Sequence, residues 1–509
     1  IWLGQAIFWD EQLSSLNTMA CATCHLPEAA GVDPRTLADP ASHTYIGRDR
    51  IFDTPDDTLS SKGISSHGSS HLYEFRVRTG MGAQLTIRNT PLLFDAAYAP
   101  EMLLDGRAPE AFVDLETGIL VSPDHGALES QAMNPFKDQK EMGFTGRPVA
   151  EILDDFRGVR EALALAGDIP VDLASWLNGR GYEPLFEEAF GSPGITTLRI
   201  AQALATFERT LVTHGHLPFD HFLDGDTSAL TPLERQGYGV FQAVGCADCH
   251  PGAILTDHEY RNIGLDDIGD EPGREFVTGD LNDLGKFRTI TLRNVALTAP
   301  YFHDGSAMTL REAVEFFNVG GHYSAPNKDS LIRPLGLTDQ QINELVAFLG
   351  RPLTDPRAAN FEGPYARLRL YSESPEAPQV YGYGTAGTGG TVPKITLLEP
   401  TRLGETITVA VEAARPGAPA ALLVAMAPDV LGTPLTGAML HVDLAPGTPA
   451  FRAELATHGL GPGSQSIRIT LPSDPALAGT SLFAQWLVFD PRPEGRLASS
   501  AAVQMRLFE

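Results

Sequence analysis

Apolar residues recur at helical spacing through the first 365 residues. Residues 194–213 and 231–244 carry apolar side chains three and four positions apart, a pattern that predicts amphipathic helices. Thr309 opens a further helix, and Thr338 with Gln341 three residues later forms a capping box before the next apolar stretch. This part of the chain is therefore predicted to be mainly α.

The pattern changes after residue 365. Residues 381–390 form a glycine-rich connector, and beyond it come about eight runs of alternating polar and apolar residues, separated by Pro and Gly turns. Residues 406–411, 466–471 and 503–507 are examples. Such alternation at short spacing predicts an antiparallel β-sandwich over residues 394–509.

Composition and charge exclude several classes of protein. The hydrophobic fraction of 43% over 509 residues is that of a folded chain of about three domains. The net charge of -27 would repel nucleic acid and anionic membranes, so neither is expected as a partner. Residues 1–393 hold 29 basic and 54 acidic residues, against 8 and 10 in the remainder, so the acidity belongs to the helical part. The sequence contains no apolar run of about 18 residues, so no membrane span is predicted.

The four cysteines fall in two copies of one motif. These copies are Cys21-Ala22-Thr23-Cys24-His25 and Cys246-Ala247-Asp248-Cys249-His250. Cys-x-x-Cys-His is the attachment signal for c-type haem, in which the thiols form thioethers and the histidine binds iron. A disulfide scaffold is not needed in a chain of this length, and zinc sites rarely use two isolated pairs so far apart. We therefore predict two covalent haems.

Covalent haem attachment implies a location outside the cytoplasmic membrane. The protein is thus expected to be periplasmic or otherwise exported. The sequence starts at Ile1 within a helix-like stretch that lacks a charged start and an apolar h-region, so we expect that a signal segment has been removed.

Five blocks in order give the chain a family resemblance. They are the first haem motif, Arg88-Asn89-Thr90-Pro91, Asp105-Gly106-Arg107-Ala108, residues 128–135 with Glu141-Met142-Gly143, and the second haem motif with Leu292-Arg293-Asn294 and residues 300–305. Over residues 1–357 the chain resembles the bacterial di-haem cytochrome c peroxidase family, which includes the MauG-type enzymes. The longer stretch between Arg107 and Leu128 is similar to a larger subgroup with an appended C-terminal β domain.

This resemblance implies four segments. Residues 1–193 would form a c-type haem domain with the peroxide-binding haem, and residues 194–365 a second one with the electron-transfer haem. A Gly-rich linker over residues 366–393 would lead to the β-sandwich domain of residues 394–509. The fold class is thus two cytochrome c-like domains, mainly α, plus an antiparallel β-sandwich.

The resemblance also implies the residues around the first haem. A distal Gln and Glu of the family correspond to Gln131 and Glu141, and Pro135 would shape the pocket. Cleavage of a bound peroxide needs a group that moves a proton from the near oxygen to the far one, which a carboxylate can do as general acid and base. Gln131 would hold the oxygen by a hydrogen bond.

Further ligands follow from the same resemblance. One calcium ion is expected between the haems, bound by the Asn89 side chain and the backbone carbonyls of Thr298 and Pro300. The competing interpretation is that Asn89 caps a turn before a proline. His303 is expected to contact a haem propionate or neighbouring backbone and not iron.

The sequence departs from the family at the second haem. The usual sixth ligand is Met or Tyr, but Phe317 occupies that position and cannot bind iron. His322 is the first substitute on chemical grounds and Met308 the second, with a five-coordinate haem or an ordinary loop histidine as the alternatives.

Two other departures concern electron transfer and the first haem. Many relatives carry a Trp between the haems, just before the position of Asp105, whereas this chain has Leu103 and Leu104. His67 and His71 lie in a Gly- and Ser-rich segment that could swing toward the first haem, or they are ordinary loop histidines.

Three functions remain open from the sequence. The first is reduction of hydrogen peroxide, with electrons from a small soluble donor protein whose basic face would suit the acidic surface. The second is a MauG-like oxidase that oxidises a protein or organic substrate, which the missing Met ligand favours. The third is a non-catalytic electron carrier or redox sensor, against which Gln131 and Glu141 argue. A docking or structural role is expected for the β domain.

Overall fold

The computed structural model describes residues 1–509 except 48, 78, 268–270, 445–448, 455–462 and 493–494. In the described residues, the α-helices lie in the first 360 positions and the long strands after residue 390. The α-helices are α1 Trp2–Trp9, α2 Cys21–Cys24, α3 Arg35–Ala38, α4 Pro40–His43, α5 Ala127–Ala132, α6 Val149–Gly158, α7 Val171–Leu177, α8 Tyr182–Phe190, α9 Thr197–Glu208, α10 Pro218–Leu223, α11 Pro232–Ala243, α12 Cys246–Cys249, α13 Glu275–Thr278, α14 Leu310–Val319, α15 Asp339–Leu349 and α16 Pro356–Ala359.

Short antiparallel hairpins are inserted between these helices. Their strands are β1 Thr44–Tyr45 with β2 Thr58–Leu59, β3 Lys62–Ser65 with β4 Ala83–Leu85, β5 Phe112–Val113 with β6 Leu120–Ser122, and β7 Tyr260–Arg261 with β8 Phe287–Arg288. Residues 63–65 of the predicted swinging segment therefore form a strand and not an open loop.

One helix crossing occurs twice and places both haem motifs. In the first copy, Gly4 of α1 lies so close to α9 that a Cβ atom there would sit 1.9 Å from the carbonyl oxygen of Ala203. In the second, Gly237 of α11 approaches Glu344 of α15 equally closely. Only glycine permits this contact, because any side chain would collide with the opposing backbone. Each crossing leads into a haem motif, so the two helical regions are built alike.

The C-terminal region consists of antiparallel strands. They are β9 Gln379–Tyr381, β10 Lys394–Thr396, β11 Thr406–Ala414, β12 Pro419–Ala425, β13 Pro428–Leu435, β14 Ala438–Val442, β15 Ala450–Glu454, β16 Gly463–Thr470, β17 Ser481–Arg492 and β18 Gly495–Arg506. The order β10-β11-β16 makes one sheet and β15-β12-β17-β18-β9 another, and β13 pairs with β14. Val409 from the first sheet and Leu422 and Trp486 from the second share one fully buried core. The predicted antiparallel β region is confirmed.

Residues 366–393 are integrated into the fold on both sides. Leu368 and Leu370 are fully buried in the core around the first haem motif. Further on, β9 adds an edge to the five-stranded sheet by pairing with β18. The connector therefore ties the helical and β regions together over much of its length.

The three-stranded sheet packs on the first helical region. The Thr408 hydroxyl donates to the carbonyl of His71 at 2.8 Å, and the Ser466 hydroxyl donates to that of Tyr73 at 3.0 Å. The backbone N–H of Met81 donates to the Glu412 carboxylate at 2.7 Å. His71, Tyr73 and Met81 are thus held against the β region. In the part of the chain that the structure describes, no helix is long and apolar enough to cross a membrane.

Candidate active site

The two Cys-x-x-Cys-His motifs adopt the same local structure. Each pair of cysteines occupies the ends of a four-residue helix, α2 or α12, and the N–H of the following histidine donates to the carbonyl of the first cysteine. None of the four thiols is joined in a disulfide. Both thiols and the imidazole of a motif are therefore available to one prosthetic group.

Each motif histidine is prepared to bind a metal. Nδ1 of His25 lies 2.6 Å from the carbonyl oxygen of Gly31, and Nδ1 of His250 lies 3.0 Å from that of Leu255. Nδ1 therefore carries the proton and Nε2 is left as the ligand. Burial lowers the pKa of His25, and it lowers the pKa of His250 to about 4, so both rings are neutral at pH 7. These residues fit haem iron.

A cavity of about 660 Å³ opens beside the first motif. Its walls include Cys21, Cys24 and His25, together with the apolar side chains of Phe8, Met19, Leu93, Phe94, Met102 and Leu128. Residues from the second helical region, among them Ile254, Thr256 and Arg288, close the far side. A mostly apolar cavity with two thiols and an imidazole at one wall fits the macrocycle of a haem.

Gln131, Pro135 and Glu141 line this same cavity. Gln131 belongs to α5, and Pro135 accepts a hydrogen bond from the N–H of Met142 at 3.1 Å. The structure therefore brings together the three residues that the sequence pattern assigned to the peroxide pocket.

Strand β3 fixes the loop that carries Glu141. The N–H of Ile64 donates to the Glu141 carbonyl at 3.2 Å, and the Gln84 amide donates to the carbonyl of Gln139 at 2.6 Å. Gly63 passes so close that a Cβ atom there would lie 1.5 Å from the Lys140 carbonyl oxygen. The loop therefore cannot shift toward β3, and the Glu141 side chain stays at the cavity wall.

The Glu141 carboxyl has an elevated pKa. Burial raises it from 4.5 to about 7, Asp138 acts in the same direction, and Arg107 acts against both. A carboxyl group with this pKa exchanges protons readily near neutral pH, as a general acid and base must.

A second buried acid, Glu208, was missed in the sequence. It ends α9 and lines the cavity, and its Oε2 is buried with no hydrogen-bond partner among the described residues. Burial, followed by the charge of Glu129, raises its pKa to about 7. No local signal distinguishes this residue from a solvated glutamate at a helix end, since its burial depends on the packing of α9 against α1 and α5.

Two of the sequence blocks meet in an ion-pair cluster at the cavity. Arg88 lies 2.5 Å from an Asp105 carboxylate oxygen and 2.8 Å from one of Glu271, while Arg107 lies 2.8 Å from Asp105. Desolvation opposes the charge on Asp105, but Arg88 and Arg107 outweigh it and lower its pKa. The cluster ties the first helical region to residue 271 of the second.

The proposed calcium ligands are partly brought together. The Asn89 amide donates to the carbonyl of Pro300 at 2.7 Å and to that of Phe302 at 3.2 Å. Asn89 Oδ1 is buried and has no hydrogen-bond partner in the part of the chain that the structure describes. Thr298 is also buried, and its hydroxyl donates to the carbonyl of Val295. An orphaned buried oxygen beside backbone carbonyls fits a hard cation.

His303 lines the cavity but is held by protein groups. Its ring stacks on Phe287 with 3.8 Å between centroids, and Nε2 lies 2.9 Å from the Asp266 carboxylate. Burial opposes protonation, but Asp266, Asp304 and Glu271 outweigh it and raise the pKa of His303.

The candidate sixth ligands of the second haem are exposed. His322 follows α14, and its ring packs edge-on against Phe316 with centroids 4.9 Å apart. Phe317 packs against Phe302 and Phe316. Met308 lies before α14 with a relative exposure of 38%. Ligation by His322 stays a prediction.

His67 is not poised to swing. Its Nε2 lies 2.8 Å from the Ser15 hydroxyl and its Nδ1 2.8 Å from the carbonyl of Ser65, and the residue is buried. The His71 ring packs beside that of His67 with 5.9 Å between centroids, and the His71 carbonyl accepts a hydrogen bond from the Thr408 hydroxyl. Leu103 and Leu104, which replace the Trp of many relatives, both line the cavity.

Together these features fit a haem-dependent oxidoreductase with two haem motifs, the first of which adjoins a cavity lined by a buried acid. Residues 1–228 match the family model described as di-haem cytochrome c peroxidase. Cytochrome-c peroxidase IdrP1 of Denitromonas iodatirespirans is 33% identical over 394 residues, which cover 70% of this chain and 81% of the relative. Methylamine utilization protein MauG of Methylophilus methylotrophus is 27% identical over 68% of this chain and 80% of its own length.

Similar solved structures include a MauG-like protein associated with microbial copper homeostasis, which is 28% identical to this chain. The match covers 70% of this chain and 89% of the MauG-like protein, with a TM-score of 0.48. The chain belongs to the di-haem cytochrome c peroxidase family, and it is a haem-dependent peroxidase.

Proposed function

We propose that the protein is an exported, periplasmic peroxidase that reduces hydrogen peroxide at the haem attached through Cys21 and Cys24. Electrons would enter at the haem attached through Cys246 and Cys249. The observation that carries this assignment is the cavity shared by His25, Gln131 and Glu141, with a buried acid whose pKa is about 7.

When bound, the haem held through Cys21, Cys24 and His25 would supply a redox-active iron and the electrons for cleavage of the peroxide O–O bond. Glu141 would accept a proton from one peroxide oxygen and deliver it to the other, so that the second oxygen leaves as water. The Gln131 amide would donate a hydrogen bond that orients the substrate, and Pro135 would shape its space. The full reaction consumes two protons and two electrons and yields two waters. Glu208 is a second group in the cavity wall that can hold one of those protons.

We further propose one calcium ion at Asn89, Thr298 and Pro300. A rotation of the Asn89 amide by about half a turn would direct its oxygen, instead of its nitrogen, toward the carbonyl of Pro300. The orphaned Oδ1 would then have the calcium ion as its partner. The amide nitrogen would no longer donate to the Pro300 carbonyl, which would be free to bind the same ion. Water would complete the shell.

The electron donor would be a small soluble protein with a basic face. Residues 1–393 carry nearly all of the negative charge, so complementary charge would raise the encounter rate at the helical part. The proposed haem domains are residues 1–193 and 194–365, and the repeated helix crossing supports two such units, although α9, which lies just past residue 193, packs on α1 of the first. The β-sandwich of residues 394–509 would dock on the first unit. His322 is the proposed sixth ligand of the second haem.

A MauG-like oxidase is the second candidate, because Phe317 stands where the peroxidases have Met. Steady-state peroxide consumption separates the two functions. A peroxidase consumes peroxide rapidly only when a reduced cytochrome is supplied, and the cytochrome is oxidised at two equivalents per peroxide. A MauG-like oxidase would consume little peroxide with that donor and would instead store the oxidising equivalents. If neither the ferric nor the reduced protein reacts with peroxide, both assignments are wrong.

A further inference from the structure

We propose that Arg288 and His258 form a carboxylate-binding site in the wall of the cavity, and that its ligand is a propionate of one of the two haems. The inference rests on the haems of the proposed function. It concerns residues that belong to neither haem motif and to none of the blocks on which the family resemblance rests.

Arg288 lacks the partner that other enclosed arginines have. Arg88, Arg147 and Arg293 each form an ion pair with at least one carboxylate. Among the residues that the structure describes, Arg288 forms none within the 4.0 Å limit of such a pair. Its Nε is buried and has no hydrogen-bond partner. A guanidinium in this position is costly unless an anion joins it.

His258 adds a second unsatisfied donor. Its Nδ1 lies 3.2 Å from Nη1 of Arg288. Because a guanidinium can only donate, Nδ1 is the acceptor and the ring proton sits on Nε2. That Nε2 is buried and likewise has no hydrogen-bond partner among the residues with described positions. Both orphaned atoms are therefore donors, and the group that would satisfy them must be an acceptor.

The nearby charges do not supply that acceptor. Glu101 is the carboxylate whose charge acts on Arg288, but this carboxylate already accepts hydrogen bonds from Arg274 at 2.8 Å and from the Tyr260 hydroxyl at 2.5 Å. Arg274 in turn lies over the Tyr260 ring. Desolvation lowers the pKa of Arg288, with Tyr260 and Glu101 acting only partly against it. The cation thus remains without a carboxylate of its own.

The position of the pair selects a haem propionate. Both residues line the cavity that also contains Cys21 and His25. Arg288 ends β8, and its N–H donates to the carbonyl of Leu104 at 2.8 Å, so it stands where the two helical regions meet. Ile254 and Thr256 of the same wall flank Leu255, the partner of His250. A carboxylate from either haem could therefore reach it, and the planar fork of arginine suits a carboxylate.

The test is the reduction potential of each haem, measured by spectropotentiometry on the holoenzyme of Arg288→Gln and Arg288→Lys. Removing a cation bound to a propionate favours the ferric form, so Arg288→Gln is expected to lower the reduction equilibrium constant of one haem about tenfold, or ~59 mV. Arg288→Lys is expected to restore most of that change. The haem whose potential moves identifies the source of the propionate.

His258→Asn serves as a second variant if Arg288→Gln does not fold, with a smaller shift expected at the same haem. Potentials of both haems that stay at their wild-type values in the folded variants would overturn the proposal. Peroxide turnover is measured on the same samples. Normal turnover without a shift rejects the carboxylate site alone, whereas a shift in a protein that never consumes peroxide rejects the proposed function alone.

Discussion

Replacing Glu141 by Gln should slow catalysis and stabilise the protein, with both effects depending on pH. The substitution keeps the size of the side chain and removes the proton-transfer group from the cavity. General acid-base catalysis contributes about 10² to 10⁴ in rate, so kcat/KM for peroxide should fall by that factor. In the wild type, kcat/KM should rise with pH through about 7, because Glu141 must be deprotonated to accept the first proton.

The effect on stability follows from the same pKa. Between pH 4.5 and about 7 the folded protein keeps a proton on Glu141 that the unfolded chain releases, so the free energy of unfolding falls as pH rises. The shift from 4.5 to about 7 corresponds to about 3 kcal/mol, which the wild type has lost fully above pH 7. Glu141→Gln avoids this loss. The free energy of unfolding of the variant should exceed that of the wild type by up to about 3 kcal/mol at pH 8 and differ little from it at pH 4.5.

The assay is guanidinium unfolding at pH 4.5 and pH 8 beside peroxide kinetics from pH 5 to 9. Glu183→Gln is the matched control, because it removes the same charge from an exposed position and should change neither quantity. A kcat/KM for Glu141→Gln within a few-fold of wild type would reject the proton-transfer role of Glu141. A stability advantage that does not grow with pH would reject the raised pKa of this carboxyl group.

Three further outcomes are expected. Asn89→Ala should reduce bound calcium, measured by elemental analysis of the purified protein, from one ion per chain to none; an unchanged content would reject the site. His322→Ala should convert the second haem from a low-spin to a high-spin paramagnetic-resonance signal, and an unaltered low-spin signal would eliminate His322 as ligand. Glu412→Ala removes the acceptor of the Met81 N–H, which costs about 1–3 kcal/mol, so proteolysis within residues 71–81 should become faster. Equal cleavage rates in the variant and the wild type would show that the β region does not protect that segment.

Much of the peroxide site was predictable because its signals are local. A Cys-x-x-Cys-His motif places two thiols and an imidazole within five residues, and in both copies the cysteines lie at the ends of a short helix that the histidine follows. The blocks that carry Gln131, Pro135 and Glu141 could be aligned to a known pattern, and the structure places all three at one cavity.

Other residues could not be found in this way. Glu208 and Arg288 are an ordinary acid and an ordinary base in the sequence, where most such residues are solvated. The burial of Glu208 and of Nε of Arg288 comes from elements distant in the chain, namely the crossing of α9 over α1 and the contact of β8 with Leu104. His67 shows the converse, because a Gly- and Ser-rich segment predicts mobility, yet the His67 ring is hydrogen-bonded to Ser15, and Thr408 of the β region donates to the carbonyl of His71 in the same segment.

The sequence by itself determined the two haem motifs, the division into α and β regions and the acidity of the helical part, because these depend on the order and identity of neighbouring residues. The tertiary structure alone decided which charges are buried. Whether a carboxyl titrates near 4.5 or near 7, and whether an arginine has a partner, depends on the solvent and charges that the fold places around it. Those environments set the proton chemistry of the peroxide site.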